Sequence, residues 1–139
     1  AGLSLQQVAS LKTGADVLEV DGTIRYRNAD ITLAPRKSRS YAYCSDTAFD
    51  DRLVNIVEQV DVLYHEATFM ESEKDKAEET KHSTAAQAAE IALKAKVGKL
   101  LIGHFSARYK DLDPLLKEAR HIFTNTVLAE EGLTFTLEE

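Results

Sequence analysis

Two hydrophobic rhythms alternate along this chain, and from residue 41 onward they predict strand following helix following strand. Short apolar runs at Tyr41-Ala42-Tyr43-Cys44, Val62-Leu63-Tyr64 and Lys99-Leu100-Leu101-Ile102 read as strands, the last bounded by Gly98 and Gly103. Between the first two, Phe49, Leu53, Ile56, Val57 and Val60 fall on one helical face. Thr84-Ala85-Ala86-Gln87 is a capping-box pattern, opening a helix that runs to about Lys96 with Gly98 as its C-cap. Ala85, Ala88, Ala92 and Ala95 with Ile91 form its inner face, so small a set of side chains that the helix must lie close to the sheet. Asp113-Pro114 opens a further helix with proline at its first position, and Leu115, Leu116, Ala119, Ile122 and Phe123 are its apolar positions. Val127-Leu128 and residues 133–137 read as closing extended segments around Gly132. Residues 71–81, dense in Glu, Lys and Asp without an apolar period, read as a surface loop, mobile or partly helical.

The first forty residues carry a weaker pattern. Leu3, Leu5, Val8 and Leu11 are loosely spaced up to Gly14, which reads as irregular chain with at most one helical turn. Val17–Val20 and Thr23–Tyr26 flank Asp21-Gly22, the pair that a two-residue type I′ hairpin prefers. A third short strand is expected at Ile31-Thr32-Leu33, running into Pro35. Arg36, Lys37 and Arg39 then form the one basic cluster, equally readable as a solvated loop that protects a sheet edge and as a contact for a polyanion. The whole is α/β: a mixed sheet in which an N-terminal hairpin precedes a βαβαβα succession with parallel pairing.

Composition narrows the class. At 139 residues, with 44% hydrophobic and 29% charged positions, the chain suits one soluble domain, residues 1–139. No apolar run reaches the length of a membrane span and no secretory leader is recognisable. A single cysteine, Cys44, rules out an internal disulfide and fits a reducing, cytoplasmic setting. The net charge of −6 speaks against a general nucleic-acid-coating surface, but a bound metal would supply local positive charge that composition does not count.

The chemistry-bearing residues stand where the predicted strands end, the place where parallel α/β sheets gather ligands. The three strands end at Ser45-Asp46-Thr47, His65-Glu66 and Gly103-His104, while His82 precedes a helix N-terminus. Taken alone, Asp46 or Thr47 reads as an N-cap and each histidine as a structural residue. Taken together, four polar stations face one rim, and Asp with His suits Zn²⁺ or Mn²⁺. Two or three ligands are too few for a structural zinc, so the site is either incomplete or finished by a partner segment. Ser106 lacks a Gly-x-Ser-x-Gly setting, and His104 two residues away is badly placed to serve it as base. Cys44 lies in an apolar strand that would raise its pKa, and His121, on a helix without polar company, reads as a surface residue.

These motifs carry a resemblance. Tyr43-Cys44-Ser45-Asp46-Thr47, His65-Glu66-Ala67-Thr68-Phe69, His82-Ser83-Thr84-Ala85 and Gly103-His104-Phe105-Ser106-Ala107-Arg108-Tyr109 resemble, in order and spacing, the carboxyl-terminal half of ribonuclease Z. That enzyme is the tRNA 3′-processing endonuclease of the metallo-β-lactamase fold. Asp21-Gly22 through Pro35-Arg36-Lys37 resembles the segment before the family's aspartate motif, and the likeness runs from about residue 11 to the end. It implies half of an αββα sandwich, with Asp46 bridging two zinc ions and His104 ligating one. It implies His82 at the scissile phosphate, Glu66 as a supporting or catalytic carboxylate, and Ser106 and Arg108 at the phosphate or bracing the site. The family's His-x-His-x-Asp-His signature is absent, and Ser45 stands where glycine is common.

The resemblance therefore implies a full-length parent that holds two Zn²⁺ or Mn²⁺ ions and removes 3′ trailers from precursor tRNA. The chain itself is expected to be a half without bound metal and without activity, whose partners are precursor tRNA and its own missing N-terminal half. A half-sandwich exposes a sheet face, which points to a homo-oligomer, a dimer in the simplest case. Two alternatives stay open: another phosphodiesterase or hydrolase of the same fold, and a non-catalytic regulatory or scaffolding half.

Overall fold

The computed structural model describes residues 2–34 and 36–137, which divide into one compact unit up to Ser38 and a second from Arg39. The first unit is small. Its helix α1, Leu5–Lys12, is two turns long and opens on a complete capping box, in which the Ser4 hydroxyl accepts from Gln7 N and the Gln7 side chain accepts from Ser4 N. The Ser-x-x-Gln spacing that signals such a cap was present in a stretch expected to be irregular, and its weak apolar period hid it. The hairpin forms, but differently from expectation. Strands β1, Val17–Leu18, and β2, Ile24–Tyr26, pair antiparallel around a three-residue loop. Gly22 N donates to Glu19 O and Glu19 N to Thr23 O. Gly22 sits at φ +86°, which makes this a turn followed by a left-handed glycine rather than a type I′ pair.

The strand expected at Ile31–Leu33 is instead the tail of a one-turn helix α2, Asn28–Ile31. Asn28 is tied down from several sides: its N–H donates to Asp16 Oδ1, its side-chain amide to Leu11 O and Ala15 O, and it accepts from the Thr32 hydroxyl. Those bonds outweigh the β-propensity of Ile31 and Thr32. Pro35, to which the strand was expected to run, lies outside the described residues.

The second unit is built on four strands: β3 Tyr41–Cys44, β4 Val62–Glu66, β5 Lys99–Gly103 and β6 Thr126–Leu128. They pair in sequence order and all in parallel, while the hairpin keeps to its own two-stranded sheet. Sequential order has a consequence. Parallel crossovers are right-handed, so every connecting helix lands on the same face of the sheet. Leu63, Leu100 and Ile102 on that face make one apolar cluster with Ala85, Ala88, Ile91 and Ala92 of α5 (Ala85–Lys94), its C-cap Ala95, and Leu115 and Ala119 of α6 (Asp113–Ile122). The alanine stripe of α5 is buried throughout, as its spacing predicted. Tyr41, Tyr43, Tyr64 and Leu101 alternate to the opposite face, where Tyr43 and Tyr64 stack at 4.5 Å.

Several boundaries differ from the sequence reading. The helix expected from Phe49 to Val60 shrinks to one turn, α3 Leu53–Ile56, entered from Arg52 without a side-chain cap, so neither Asp46 nor Thr47 caps it. Residues 71–81 are ordered into a 3₁₀ turn, Glu71–Glu73, and α4, Lys74–Thr80. Buried Ala77 anchors this charged segment, an attachment too small to register as an apolar period. Helix α5 stops at an Ala95 C-cap rather than at Gly98. The role of Gly98 is steric instead, since a Cβ there would lie 2.5 Å from the Asp61 carbonyl oxygen. Residues 133–137 form no strand.

Candidate metal centre

The parallel register levels the strand ends. Cys44 lies beside His65, and Glu66 beside Gly103. Continuing the same register by one or two residues puts Asp46, Ala67 and His104 on one line beyond the carboxyl rim. Asp46 and His104 both turn there in the left-handed region, at φ 57° and 58°, and Lys81, just before His82, does so at 64°. Non-glycine residues rarely adopt such angles, and when they do the strain tends to mark function. The Lys81 turn ends α4, with His82 N donating back to Ala77 O. Two residues on, Thr84 begins α5 with a reciprocal cap to Gln87. His82 is thus pinned between two helix termini.

These placements bring one donor atom from each of Asp46, Glu66, His82 and His104 within 4.8 Å of one another. The four are unequal. The Asp46 side chain is 78% exposed, whereas that of Glu66 is wholly buried and that of His82 mostly so. Glu66 is saturated: Oε1 accepts from Thr47 N at 2.6 Å and lies 3.1 Å from His82 Nδ1, while Oε2 accepts from the Thr68 hydroxyl at 2.6 Å and from Ser83 N at 3.0 Å. Burial alone would push this carboxyl up, but the bonds from Thr68, Ser83, His82 and Thr47 prevail and hold it below its ordinary value. A carboxylate has about four lone-pair positions, and here all are taken. Glu66 therefore ties the loop after β3, the exit of β4 and the start of α5 together. The Ser83 hydroxyl adds a second tie by donating to Thr47 O at 2.7 Å.

The carboxylate also orients His82. Because Glu66 can only accept, His82 Nδ1 carries the proton of that contact and leaves Nε2 uncommitted. Asp46 Oδ1 lies 3.7 Å from the same Nδ1, beyond hydrogen-bond reach. The donor set left after Glu66 is one exposed carboxylate and two imidazoles, a mixture that suits Zn²⁺ or Mn²⁺.

The remaining sequence candidates stand apart from this cluster. Arg108 pairs with Glu73 at 2.8 Å and lies over the Phe69 ring, whose own edge approaches His82. Ser106 holds the loop after β5, its N–H donating to Thr68 O. His65, at the strand end that drew attention, is fully buried on the Leu63 side of β4. Its Nδ1 donates to Glu66 O at 2.7 Å and its Nε2 has no partner. Cys44 is half-buried and burial pushes its thiol up, as its apolar strand led us to expect, and His121 is exposed. The sequence reading gave Thr68 and Ser83 no role, and Thr47 only that of a helix cap. Their only signal was position, next to Asp46, Glu66 and His82 in the motifs already quoted.

No family model matches the chain. It is 46% identical over 137 residues, 99% of its length, to a ribonuclease Z of Cytophaga hutchinsonii, and 50% identical over 133 residues to one of Parabacteroides distasonis. It spans 44% and 43% of those two proteins. Among solved structures, the metallo-β-lactamase fold protein YhfI from Bacillus subtilis superposes with a TM-score of 0.64 at 28% identity, over 69% of this chain and 39% of that one. The short form of human tRNase Z does so with a TM-score of 0.52 at 30% identity, over 69% and 31%. The motifs, the curated relatives and the solved structures agree: over nearly its whole length the chain is similar to part of ribonuclease Z, and its fold is that of the metallo-β-lactamase proteins.

Proposed function

We propose that this chain is the carboxyl-terminal portion of a metal-dependent endoribonuclease that removes 3′ trailers from precursor tRNA. One observation carries the reading: an exposed carboxylate and two imidazoles converge at the rim of a parallel sheet, around a buried carboxylate whose lone pairs tie together the segments that carry them. Asp46 and His104 are the proposed ligands, and two Zn²⁺ or Mn²⁺ ions the proposed cofactor of the complete protein. When bound, such ions supply Lewis-acid polarisation of the phosphodiester. His82 has its Nδ1–H committed to Glu66, which leaves Nε2 as the nitrogen from which a proton would pass to the leaving 3′ oxygen. Glu66 fixes that imidazole through the Nδ1 contact. Ser106 and Arg108 are proposed to flank the phosphate, Arg108 after exchanging its Glu73 partner for it. Both compact units belong, on this reading, to one domain of the parent, and the chain alone lacks the ligands to cleave.

The proposal extends to assembly. The sheet face away from the helices carries Tyr41 and Tyr43, 53% and 63% exposed, which supports a covering by the parent's other half or, in its absence, by a second copy. A cytoplasmic setting follows from the tRNA substrate.

The test uses the complete protein, metal analysis and single-turnover cleavage of a precursor tRNA. His82→Ala is expected to keep its metal and slow cleavage by roughly 10²–10⁴-fold, the usual worth of a general acid. Asp46→Ala and His104→Ala are expected to lose metal and activity together. Loss of metal from His82→Ala as complete as from His104→Ala would overturn the division of roles.

A further inference from the structure

Thr68 is 6% exposed, and its hydroxyl oxygen has three close neighbours: Glu66 Oε2 at 2.6 Å, the His104 carbonyl oxygen at 2.9 Å and His104 Nδ1 at 3.0 Å. A hydroxyl has one proton to give. The Glu66 oxygen already accepts from Ser83 N, and a 2.6 Å contact between two oxygens needs a proton that a carboxylate accepting on every side does not have. The Thr68 proton therefore lies between Glu66 Oε2 and the His104 carbonyl oxygen, nearer the former, and none is left for the ring nitrogen. The contact with His104 Nδ1 then needs its proton from the ring, so His104 is protonated on Nδ1 and bare on Nε2.

We propose that Thr68 is a positioning residue, accepting a hydrogen bond from His104 Nδ1–H and so setting that imidazole with Nε2 as the free donor of the metal centre. The inference rests on the reading of His104 as a ligand. It deepens that reading by naming what selects the ligating nitrogen. Histidine ligands are commonly oriented by such a bond from the second ring nitrogen, but here the carboxylate acts at one remove. Glu66 holds His82 directly and His104 through Thr68, so a single buried anion sets the tautomer of both imidazoles. The backbone of Thr68 is itself fixed on this side of the site, its carbonyl accepting from Ser106 N at 3.1 Å. This gives Ser106 a concrete part in holding the arrangement.

The tautomer is measurable without any turnover. In the complete protein, stripped of metal and ¹⁵N-labelled at histidine, long-range ¹H–¹⁵N correlation spectra near pH 8 should show His104 with a protonated Nδ1 and a bare Nε2. Thr68→Val keeps the side-chain shape and removes the acceptor. It should shift His104 towards the Nε2–H form while His82, bonded to Glu66 directly, stays protonated on Nδ1. Thr68→Ser should restore the parent pattern. Zn²⁺ affinity, measured by competition with a chromophoric chelator, should fall by roughly 10–100-fold in Thr68→Val and recover in Thr68→Ser. An Nε2–H tautomer at His104 in the parent protein would overturn the proposal with no variant needed, as would a Thr68→Val protein whose His104 spectrum is unchanged. If the tautomer follows Thr68 as expected but His104→Ala binds Zn²⁺ as tightly as the parent, the ligand reading fails and the hydrogen-bond assignment alone survives.

Discussion

Glu66→Gln isolates the buried anion, because it keeps the volume and removes only the charge and one acceptor. Each carboxylate oxygen meets one backbone N–H, that of Thr47 at Oε1 and that of Ser83 at Oε2, and the adaptable groups are Thr68 at Oε2 and His82, 3.1 Å from Oε1 and 3.2 Å from Oε2. An imidazole can change tautomer and a hydroxyl can rotate, so both can accept from a glutamine amide. The two backbone donors have no such freedom. Whichever way the amide turns, its NH₂ faces one of them and leaves a buried N–H unsatisfied, at about 1–3 kcal/mol. The other contacts drop from charge-assisted to neutral strength, each losing on the order of 1 kcal/mol. Against this stands the desolvation of a buried carboxylate, which the substitution removes. Since the geometry denies the amide a satisfied pose, the expected balance is a loss of about 3 kcal/mol, a large part of the roughly 5–15 kcal/mol that holds a typical domain. Urea unfolding followed by circular dichroism should show the midpoint falling with the slope preserved. A loss under about 1 kcal/mol would refute the argument, because it would mean that the loops rearrange around the amide at little cost.

Acid should act on the fold in two stages. His65 is buried with Nε2 unpartnered, so burial pushes its pKa down. The unfolded chain then takes up the proton first, and stability declines as pH falls below about 6.5, by up to about 1.4 kcal/mol per pH unit. His65→Leu should flatten that slope between pH 6.5 and 5 in denaturant titrations, and an unchanged slope would clear His65 of the effect. Glu66, whose pKa is lowered in the fold, contributes stability that is present above its unfolded value and lost as pH falls through the folded one. Its loss should therefore follow only below about pH 4.3, and Glu66→Gln should reduce that second stage without touching the first, the remainder belonging to carboxyls such as Asp21 and Asp50 whose pKa values are also lowered. Gly98→Ala would set a Cβ 2.5 Å from the Asp61 carbonyl oxygen and should cost about 1–3 kcal/mol through backbone separation. Gly2→Ala, with nothing within 4 Å, should stay within about 0.5 kcal/mol of the parent. Equal effects at the two glycines would show that close approach is not what Gly98 serves.

The second unit was readable because its signals are strong and local. Buried parallel strands need unbroken apolar runs, and Tyr41–Cys44, Val62–Tyr64 and Leu100–Ile102 supply them. Helix α5 announces itself through Thr84, Gln87 and an alanine stripe that only a close sheet would require. The misreadings fall where one side chain or one turn decides. Asn28 draws its neighbourhood into a helical turn through bonds to Leu11, Ala15 and Asp16, partners more than ten residues away that no local window contains. The hairpin turned on whether Gly22 alone or the Asp21-Gly22 pair takes positive φ, and the two residues are the same in both cases. In the Phe49–Val60 segment an apolar spacing suited a helix, yet Ile56 is 74% exposed and the chain closes only one turn.

The site was legible as a set of residues and illegible as a set of angles. Asp46, Glu66 and His104 could be gathered from the rule that parallel strands end on one rim, and His82 from the helix start beside it. Nothing in the letters shows that Asp46, Lys81 and His104 must each turn through the left-handed region, a conformation costing about 1–2 kcal/mol for most residues and somewhat less for Asp and His. Glycine would make these turns at no steric cost, but it would leave no carboxylate at 46 and no imidazole at 104. At Asp46 and His104 the proposed ligand and the sharp turn fall on the same position, so the strain is borne there and offset nearby. The offset is visible in the bonds around Glu66. Its oxygens receive the N–H of Thr47, directly after Asp46, and that of Ser83, two residues after Lys81, while the Thr68 hydroxyl it binds meets the ring and backbone of His104. Each strained turn is thus held by a hydrogen bond to the anion or through its threonine. This is why a carboxylate with no lone pair left for a metal is buried at the centre of the proposed metal site.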